Sequence, residues 1–179
     1  MIEVNRELLG GNAAGIEEID PIRGVWRVRF GRESGENGTQ TCLYADFDHR
    51  PTDGEIREFI TEHYDVACDA EGEWGMRYKG LIVYLSYENK FNFKAAFDIA
   101  ARNPAKSFPL TFKFWKDENT PVYWEFRTID ELSEFYLSAM QHLMATYKKW
   151  WAKKDSEIMR LVDGYKPLTR DKIEKGGEP

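Results

Sequence analysis

The sequence predicts an α+β fold, with an N-terminal β-hairpin and helix followed by a strand, a helix, a second β-hairpin and one long helix. Three observations carry this prediction: paired segments in which apolar and polar residues alternate, two capping boxes that mark helix starts, and a long amphipathic stretch after residue 128. Aromatic residues make up 15% of the chain. Their regular spacing is typical of a packed scaffold rather than of a reaction centre.

The first half of the chain is predicted to form a hairpin and one helix. Residues 1–23 lack a steady hydrophobic period and contain several glycines, so they are interpreted as a loosely ordered arm. Apolar residues alternate along Val25–Phe30 and again along Thr39–Phe47, which predicts two half-buried strands. A capping box at residues 52–55 starts a helix that is expected to fade near Tyr64.

The next segment is predicted to hold a central strand and a helix. Tyr78–Ser86 contains a continuous apolar run, which is typical of a strand covered on both faces. Glu88–Arg102 carries apolar residues at helical spacing. Asn103-Pro104 should end this helix, because the residue before a proline disfavours the α conformation.

Two alternating segments near residues 110 and 126 predict the second hairpin and its register. Keeping both apolar sets on one face requires a pairing that a five-residue loop at 116–120 satisfies. The predicted partners are Phe114 with Val122, Phe112 with Trp124, and Leu110 with Phe126. On the outer face, Lys113 then lies diagonal to Glu125.

A second capping box at residues 128–131 starts the long helix. Its apolar residues fall on one stripe, which comprises Leu132, Phe135, Tyr136, Ala139, Leu143, Tyr147 and Trp150. The helix is expected to reach Leu161 or Val162, a length of about 50 Å at the helical rise per residue. A helix of that length extends beyond a small sheet, so its far half needs a neighbour, another subunit or solvent.

The length of 179 residues suits one domain or two small ones. Asp69–Gly75 is interpreted as a linker, because the composition changes there from strongly acidic to aromatic. The predicted organisation is then the arm at 1–23, an N-terminal α+β subdomain at 24–75, a C-terminal α+β subdomain with the long helix at 76–163, and a disordered tail at 164–179.

Charge and cysteine content limit the classes of partner and compartment. The net charge is −6; residues 1–140 carry 25 acids against 16 bases, and residues 141–179 carry 6 against 9. The acidic body repels phosphate, so nucleic acid is a poor candidate as a partner. Two cysteines indicate a reducing compartment, and neither a signal peptide nor a membrane span is visible. We therefore expect no membrane partner and a location in the cytoplasm.

Few residues in the chain point to chemistry. Cys42, His49, His63 and Cys68 lack the closely spaced ligand pair of a structural zinc site, so no metal and no cofactor is predicted. Asp46, Asp48 and His49 at a strand end form the one tight titratable cluster, which could bind a cation or perform acid–base work in a small enzyme or ligand-binding protein. A solvated acidic loop is the commoner explanation.

Lys148–Lys154 interleaves four lysines with two tryptophans. Such a segment can grip a nucleic-acid strand or lie on a membrane surface. Two acidic residues follow at once, and the helix places the two indoles about 100° apart. Lysine stems packed beside a buried tryptophan are the preferred interpretation.

Residues 78–155 resemble a family of unknown function found in phage and prophage genomes, often near tail or tail-fibre genes. The resemblance rests on VYLSYENKFNFKAAFD at 83–98, FPLTFKF at 108–114 and the helix that ends in WWAKKD at 150–155. The family brings no assigned activity and no functional residues. It implies a virus-derived structural, assembly or accessory protein.

The preferred hypothesis for function is a non-enzymatic module that binds another protein or a second copy of itself. The long helix would supply the partner-binding surface, through Phe135, Tyr136, Tyr147, Trp150 and Trp151. The alternative hypotheses are the enzyme or ligand site at Asp46, Asp48 and His49, and nucleic-acid binding through Lys148–Lys154.

Overall fold

A computed structural model describes residues 2–10 and 13–174. These residues form an α+β fold with two four-stranded antiparallel sheets and five α-helices, in the predicted order of elements. They cluster into two compact units: unit 1 contains the described residues up to Tyr64 and from Ala152 onward, and unit 2 is Asp65–Trp151. The predicted division near residue 75 therefore differs from the observed one, because two long helices contribute residues to both units.

The sheet of unit 1 contains strands β1 (Asn5–Leu8), β2 (Ile16–Asp20), β3 (Val25–Ser34) and β4 (Gln40–Phe47), with a 3-10 turn at Glu36–Gly38. The strand order is β1-β4-β3-β2. The predicted hairpin is β3 with β4, and it is confirmed. The interpretation of residues 1–23 as a loosely ordered arm is wrong, because β1 and β2 extend the hairpin on both edges.

Charge pairing explains why these edge strands cannot be recognised from hydrophobic periodicity. Glu7 on β1 accepts hydrogen bonds from the guanidinium groups of Arg27 and Arg29 on β3. Arg29 also donates to Glu17 on β2. Burial lowers the pKa of Arg29, but the bonds to Glu7 and Glu17 outweigh this and leave the pKa raised. Ion pairs between polar side chains therefore hold β1 and β2 in the sheet, whereas apolar contacts hold β3 and β4.

Helix α1 (Asp53–Trp74) follows the sheet. The predicted capping box is present: the Thr52 amide donates to the Glu55 carboxylate at 2.8 Å, and the Glu55 amide donates to the Thr52 hydroxyl at 3.3 Å. In unit 1, the Phe59 ring packs edge-on against Phe30 and Phe47, which lie on the inner face of the sheet.

The predictions that α1 fades near Tyr64 and that Asp69–Gly75 is a linker are wrong. Buried positions continue at every fourth residue, at Ile56, Ile60, Tyr64, Cys68 and Gly72. Cys68 is small and Gly72 has no side chain, so the buried stripe is hard to recognise in the sequence although it remains on one face.

The C-terminal part of the chain completes unit 1. Ile158, Leu161 and Val162 are buried, and the Arg160 guanidinium donates to the backbone carbonyl of Arg29 at 2.6 Å. The two-part composition of unit 1 follows from these contacts.

In unit 2, the predicted single strand at Tyr78–Ser86 is instead a small hairpin of β5 (Met76–Tyr78) and β6 (Leu81–Val83). Lys79 and Gly80 between them have φ angles of 49° and 83°. Two successive positive φ angles form the tight turn that joins antiparallel strands. The apolar run therefore marks a short inner strand and the loop after it.

Helix α2 (Tyr87–Arg102) is capped at its N-terminus by Ser86, whose hydroxyl accepts a hydrogen bond from the Asn89 amide. It ends before Pro104 as predicted, and a short helix α3 (Pro104–Ser107) follows.

Strands β7 (Leu110–Asp117) and β8 (Thr120–Phe126) form the second hairpin, and the sheet order is β5-β6-β7-β8. All three predicted pairs are confirmed: Phe114 with Val122, Phe112 with Trp124, and Leu110 with Phe126. The expected five-residue loop is wrong. Asp117 pairs with Thr120 after a bulge, and its carboxylate accepts from the amides of Asn119 and Thr120.

Helix α4 (Ile129–Leu161) confirms the predicted long helix. Its Phe135 is fully buried at the centre of the unit 2 core. The ring centroid of Phe135 lies 5.1 Å from that of Tyr78, 5.3 Å from Phe114 and 5.2 Å from Phe126. Helix α4 is thus fixed to its sheet by a cluster of aromatic rings.

The tail contains helix α5 (Arg170–Glu174), so the prediction of disorder is wrong for those residues. The last five residues of the predicted tail, 175–179, lie outside the described residues. Among the helices described here, none combines the length and the apolar character needed to cross a bilayer.

The central position of Phe135 leads to a stability prediction. Phe135→Ala should reduce the free energy of unfolding by about 3–5 kcal/mol, because it removes a buried ring and leaves a cavity. Urea unfolding followed by circular dichroism measures this change. The matched control is Ile99→Ala on helix α2 of the same unit, whose side chain is exposed and whose loss should cost less than about 1 kcal/mol. Equal losses in the two variants would contradict the assigned core.

Candidate functional site

The five aromatic residues that the sequence indicated as a partner surface differ in exposure and in their contacts. Phe135 has no exposed area and belongs to the core, which removes it from the accessible set. Tyr136 is half-buried and stacks on Phe97 with a centroid distance of 4.9 Å. Tyr147 stacks on Trp151 at 5.7 Å with an interplanar angle of 15°. Trp151 remains about half exposed, so the accessible aromatic surface centres on the Tyr147–Trp151 pair.

Trp150 serves an intramolecular contact within unit 2. Its indole N–H donates to the Glu71 carboxylate at 3.1 Å, and the Lys149 ammonium donates to the same oxygen at 2.5 Å. The bond from Lys149, followed by the bond from Trp150, lowers the pKa of Glu71 despite partial burial. Lys149 and Trp150 of the Lys148–Lys154 segment are therefore engaged with Glu71 of α1, which leaves less of this segment for nucleic acid.

A second apolar stripe on α4 was recognised only in part in the sequence, through Tyr147 and Trp151. We call it the outer stripe; it consists of Leu137, Met140, Met144, Tyr147 and Trp151. Leu137, Met140, Met144 and Trp151 have exposed fractions of 58%, 41%, 56% and 52%. The spacing within the stripe is 3, 4, 3 and 4 residues, which is the a and d pattern of a heptad repeat. The outer stripe lies beside the buried stripe. On a helical wheel the two therefore form one wide apolar arc, and the sequence alone does not separate them.

A groove in unit 2 adjoins the outer stripe between helices α2 and α4. It has a volume of about 320 Å³. Two large side chains of α2 stand at its edge with most of their area exposed, Tyr87 at 83% and Phe91 at 65%. The lining residues are Leu85, Tyr87, Lys90, Phe91, Phe93, Lys94, Tyr136, Ala139, Met140 and Leu143. The walls of the groove are thus mainly apolar, with two lysines on the α2 side.

Charged groups lie along the edges of this surface. On α2, the Lys94 ammonium pairs with Asp98 at 2.8 Å, and this bond raises the pKa of Lys94. On α4, Glu134 lies 3.5 Å from the Lys79 ammonium and keeps 60% of its side chain exposed. Lys148 is exposed near the other end of the outer stripe. Helix α4 therefore presents opposite charges beside the two ends of the stripe.

The cluster at Asp46, Asp48 and His49 does not converge on a common point. The Asp46 carboxylate makes two hydrogen bonds to Arg27, at 2.7 and 2.8 Å. The His49 ring lies between Asp48, at 2.7 Å from Nδ1, and Glu55, at 2.9 Å from Nε2. The carboxylate of Asp48 points into solvent. Asp46 thus pairs with Arg27 within the sheet, whereas Asp48 and His49 contact each other beside the capping box.

The pKa values in this cluster follow from the same contacts. Hydrogen bonds to Asp48 and then to Glu55 raise the pKa of His49. The pKa of Glu55 is lowered to about 2, chiefly by the Thr52 amide, then by the Thr52 hydroxyl and His49. The His49 ring thus bridges Asp48 and Glu55 at the start of α1.

The other candidate metal ligands are also part of the packing. Cys42 and Cys68 are buried free thiols, and burial raises the pKa of Cys42. The His63 ring packs edge-on against Phe30 at 4.9 Å, and burial lowers its pKa. Within the residues that the structure describes, no group of three or more His, Cys, Asp or Glu side chains is arranged to hold a metal ion.

Comparison with known proteins found no matching family model, no matching curated protein and no matching solved structure.

The pKa values of the two histidines of unit 1 should be shifted in opposite directions from the ordinary value. We expect a pKa above 6.5 for His49 and below 6.5 for His63, because carboxylates stabilise the first imidazolium and burial disfavours the second. The stabilising contribution of His49 is then complete below pH 6.5 and is lost as pH rises through its raised pKa. Histidine NMR resonances followed from about pH 4.5 to 8.5 give both values, with His49→Asn and His63→Asn as assignment controls. A His49 pKa at or below 6.5 would contradict the observed geometry.

Proposed function

We propose that this protein is a non-enzymatic docking module whose outer stripe on α4 binds a helix of another protein chain. One observation carries the proposal: apolar side chains at heptad spacing stand half exposed along a single helix. Monomeric proteins rarely expose contiguous apolar patches unless these serve an interaction. A 3–4 repeat is the pattern into which a second helix packs its own side chains.

The residue types on this surface suit an interface. Tyrosine, tryptophan and methionine are enriched where proteins bind one another, whereas most charged residues are depleted there. Met140 and Met144 have flexible side chains that adapt to a partner. Tyr147 and Trp151 already stack on each other, so less side-chain entropy is lost when a partner orders them.

The support beneath the surface favours binding without a large rearrangement. The inner face of α4 is fixed by Phe135 in the core. Near the other end of the stripe, Trp150 is held by Glu71. A helix fixed at both places presents its outer residues in a set geometry, and preorganisation of this kind favours affinity.

The enzyme hypothesis has no three-residue site to support it, because Asp46 is bound to Arg27, while Asp48 and His49 contact each other at the surface. The resemblance to phage and prophage proteins supports a more specific version of the docking proposal. In that version the protein is a virus-derived assembly or accessory factor, which acts in the bacterial cytoplasm or in the virion.

A single charge placed in the outer stripe should abolish docking. In Met144→Lys, an ammonium group would lose its water without gaining a partner when the interface forms. The immobilised full-length chain is exposed to extract from cells that carry its gene, and separately to purified copies of itself. Retained proteins are quantified by mass spectrometry. We expect at least one to be retained by the wild type and reduced at least about tenfold by Met144→Lys.

The matched control is Ile99→Lys, which changes an equally exposed apolar residue on α2. Ile99 does not line the groove, so this variant should retain the same partners as the wild type. Circular dichroism checks that both variants remain folded. If no retained protein, including a second copy, distinguishes Met144→Lys from Ile99→Lys, the proposed docking surface is wrong.

A further inference from the structure

We infer that the helix bound by the outer stripe is α4 of a second copy of this chain, packed in the antiparallel direction. This inference rests on the docking function proposed above and identifies the partner that the docking surface binds. It depends on the spacing of the stripe, on the sizes of its side chains, and on the placement of two opposite charges beside it.

The spacing of the stripe favours a helix as the partner. Leu137, Met144 and Trp151 occupy successive a positions, and Met140 and Tyr147 occupy the d positions between them. The stripe spans about 21 Å at the helical rise per residue. Two helices that share such a 3–4 pattern pack side by side at a small crossing angle, with the side chains of one filling gaps in the other.

The sizes of the side chains favour the antiparallel direction. A two-fold axis between Met140 and Met144 places Met140 of one copy against Met144 of the other. The same axis places Leu137 against Tyr147, and Trp151 against Ser133. Ser133 occupies the d position one turn before Leu137, and its hydroxyl is already bonded to the Ile129 carbonyl. Each large side chain therefore meets a smaller one, which suits close packing.

A parallel pair would instead place each side chain level with its own copy. Trp151 would then lie beside Trp151 and Tyr147 beside Tyr147, while the small Ser133 positions would leave a gap. This alternative combines crowding at one end with a void at the other, and both are unfavourable in a packed interface.

Charge complementarity selects the same direction. Glu134, Gln141 and Lys148 recur every seven residues along one edge of the stripe. In the antiparallel pair, Glu134 of each copy faces Lys148 of the other, so two opposite-charge contacts form. Gln141 lies next to its own copy near the axis. In a parallel pair, this edge faces Tyr136 and Leu143 of the other copy, and the charges gain no partner.

Two further charged contacts bear on this arrangement. Glu134 contacts Lys79 at 3.5 Å, but both side chains are about half exposed, so Glu134 can accept a second cation. Along the opposite edge of the stripe, Lys94 is neutralised by Asp98. This pairing limits repulsion between the α2 helices of two copies.

Charge reversal tests the pairing directly. Sedimentation equilibrium of the full-length chain at low ionic strength should show a dimer for the wild type. Glu134→Lys and Lys148→Glu should each weaken dimerisation by about tenfold, because each replaces two attractive contacts with two repulsive ones. An equimolar mixture of the two variants should recover the wild-type dissociation constant to within about threefold. In that mixed dimer, one chain carries lysine at both positions and the other carries glutamate at both, so two attractive contacts form again.

The mixture separates the inference from general damage to the fold, because a damaged variant would not be rescued by a second damaged variant. A double variant, Glu134→Lys with Lys148→Glu in one chain, should also dimerise like the wild type. Met144→Lys should be monomeric, and Ile99→Lys should remain dimeric. Single variants that dimerise like the wild type, or a mixture that stays as weak as either variant alone, would overturn the antiparallel pairing.

A monomeric wild-type chain at millimolar concentration would overturn self-association. The docking function would survive that result if another protein were still retained in a manner that Met144→Lys abolishes. Loss of both self-association and every Met144-dependent partner would overturn the docking function as well. The two proposals can thus fail separately.

Discussion

The packing of Phe135 against the sheet of unit 2 sets the rotation of helix α4 about its own axis. Once this ring is fixed between Tyr78, Phe114 and Phe126, every other side chain of the helix has a determined direction. Successive residues are rotated by about 100°, so Leu137 and Met144 must stand to one side of the buried face. The exposure of the outer stripe is thus a consequence of the core, and it cannot be relieved by turning the helix.

Unit 1 depends on a different kind of interaction. Its edge strands are joined to the central hairpin by Arg27 and Arg29, which reach carboxylates on β1, β2 and β4. Arg27 also lies over the ring of Tyr44, with 3.7 Å between the guanidinium carbon and the ring centroid. Buried charges are costly unless they are paired and hydrogen-bonded. The carboxylates of β1 and β2 are therefore required wherever Arg29 is buried.

The sequence was most informative where one physical rule allowed a single arrangement of the chain. The hairpin at 110–126 could be paired residue by residue, because a slip of one position would expose Phe114 and Phe126. The polar strands β1 and β2 could not be recognised, since their pairing depends on arginines that are distant in the sequence. The extension of α1 was hidden by small buried residues such as Cys68 and Gly72.

The candidate surface was predicted only in part, for a related reason. Aromatic residues on α4 indicated a partner, but size alone could not tell that Phe135 is buried or that Trp150 bonds to Glu71. Met140 and Met144 drew no attention because they continue the apolar arc of the core. The heptad spacing was present in the sequence, and it became distinct only when the exposed positions could be separated from the buried ones.

The two-part composition of unit 1 has a consequence for synthesis on the ribosome. The strands of this unit emerge first, yet Ile158, Leu161 and the Arg160 bond to the Arg29 carbonyl come from near the end of the chain. The whole of unit 2 is translated in between. The earliest sheet must therefore persist in an unfinished state, with part of its apolar surface uncovered, until the end of α4 has been synthesised and has left the ribosome.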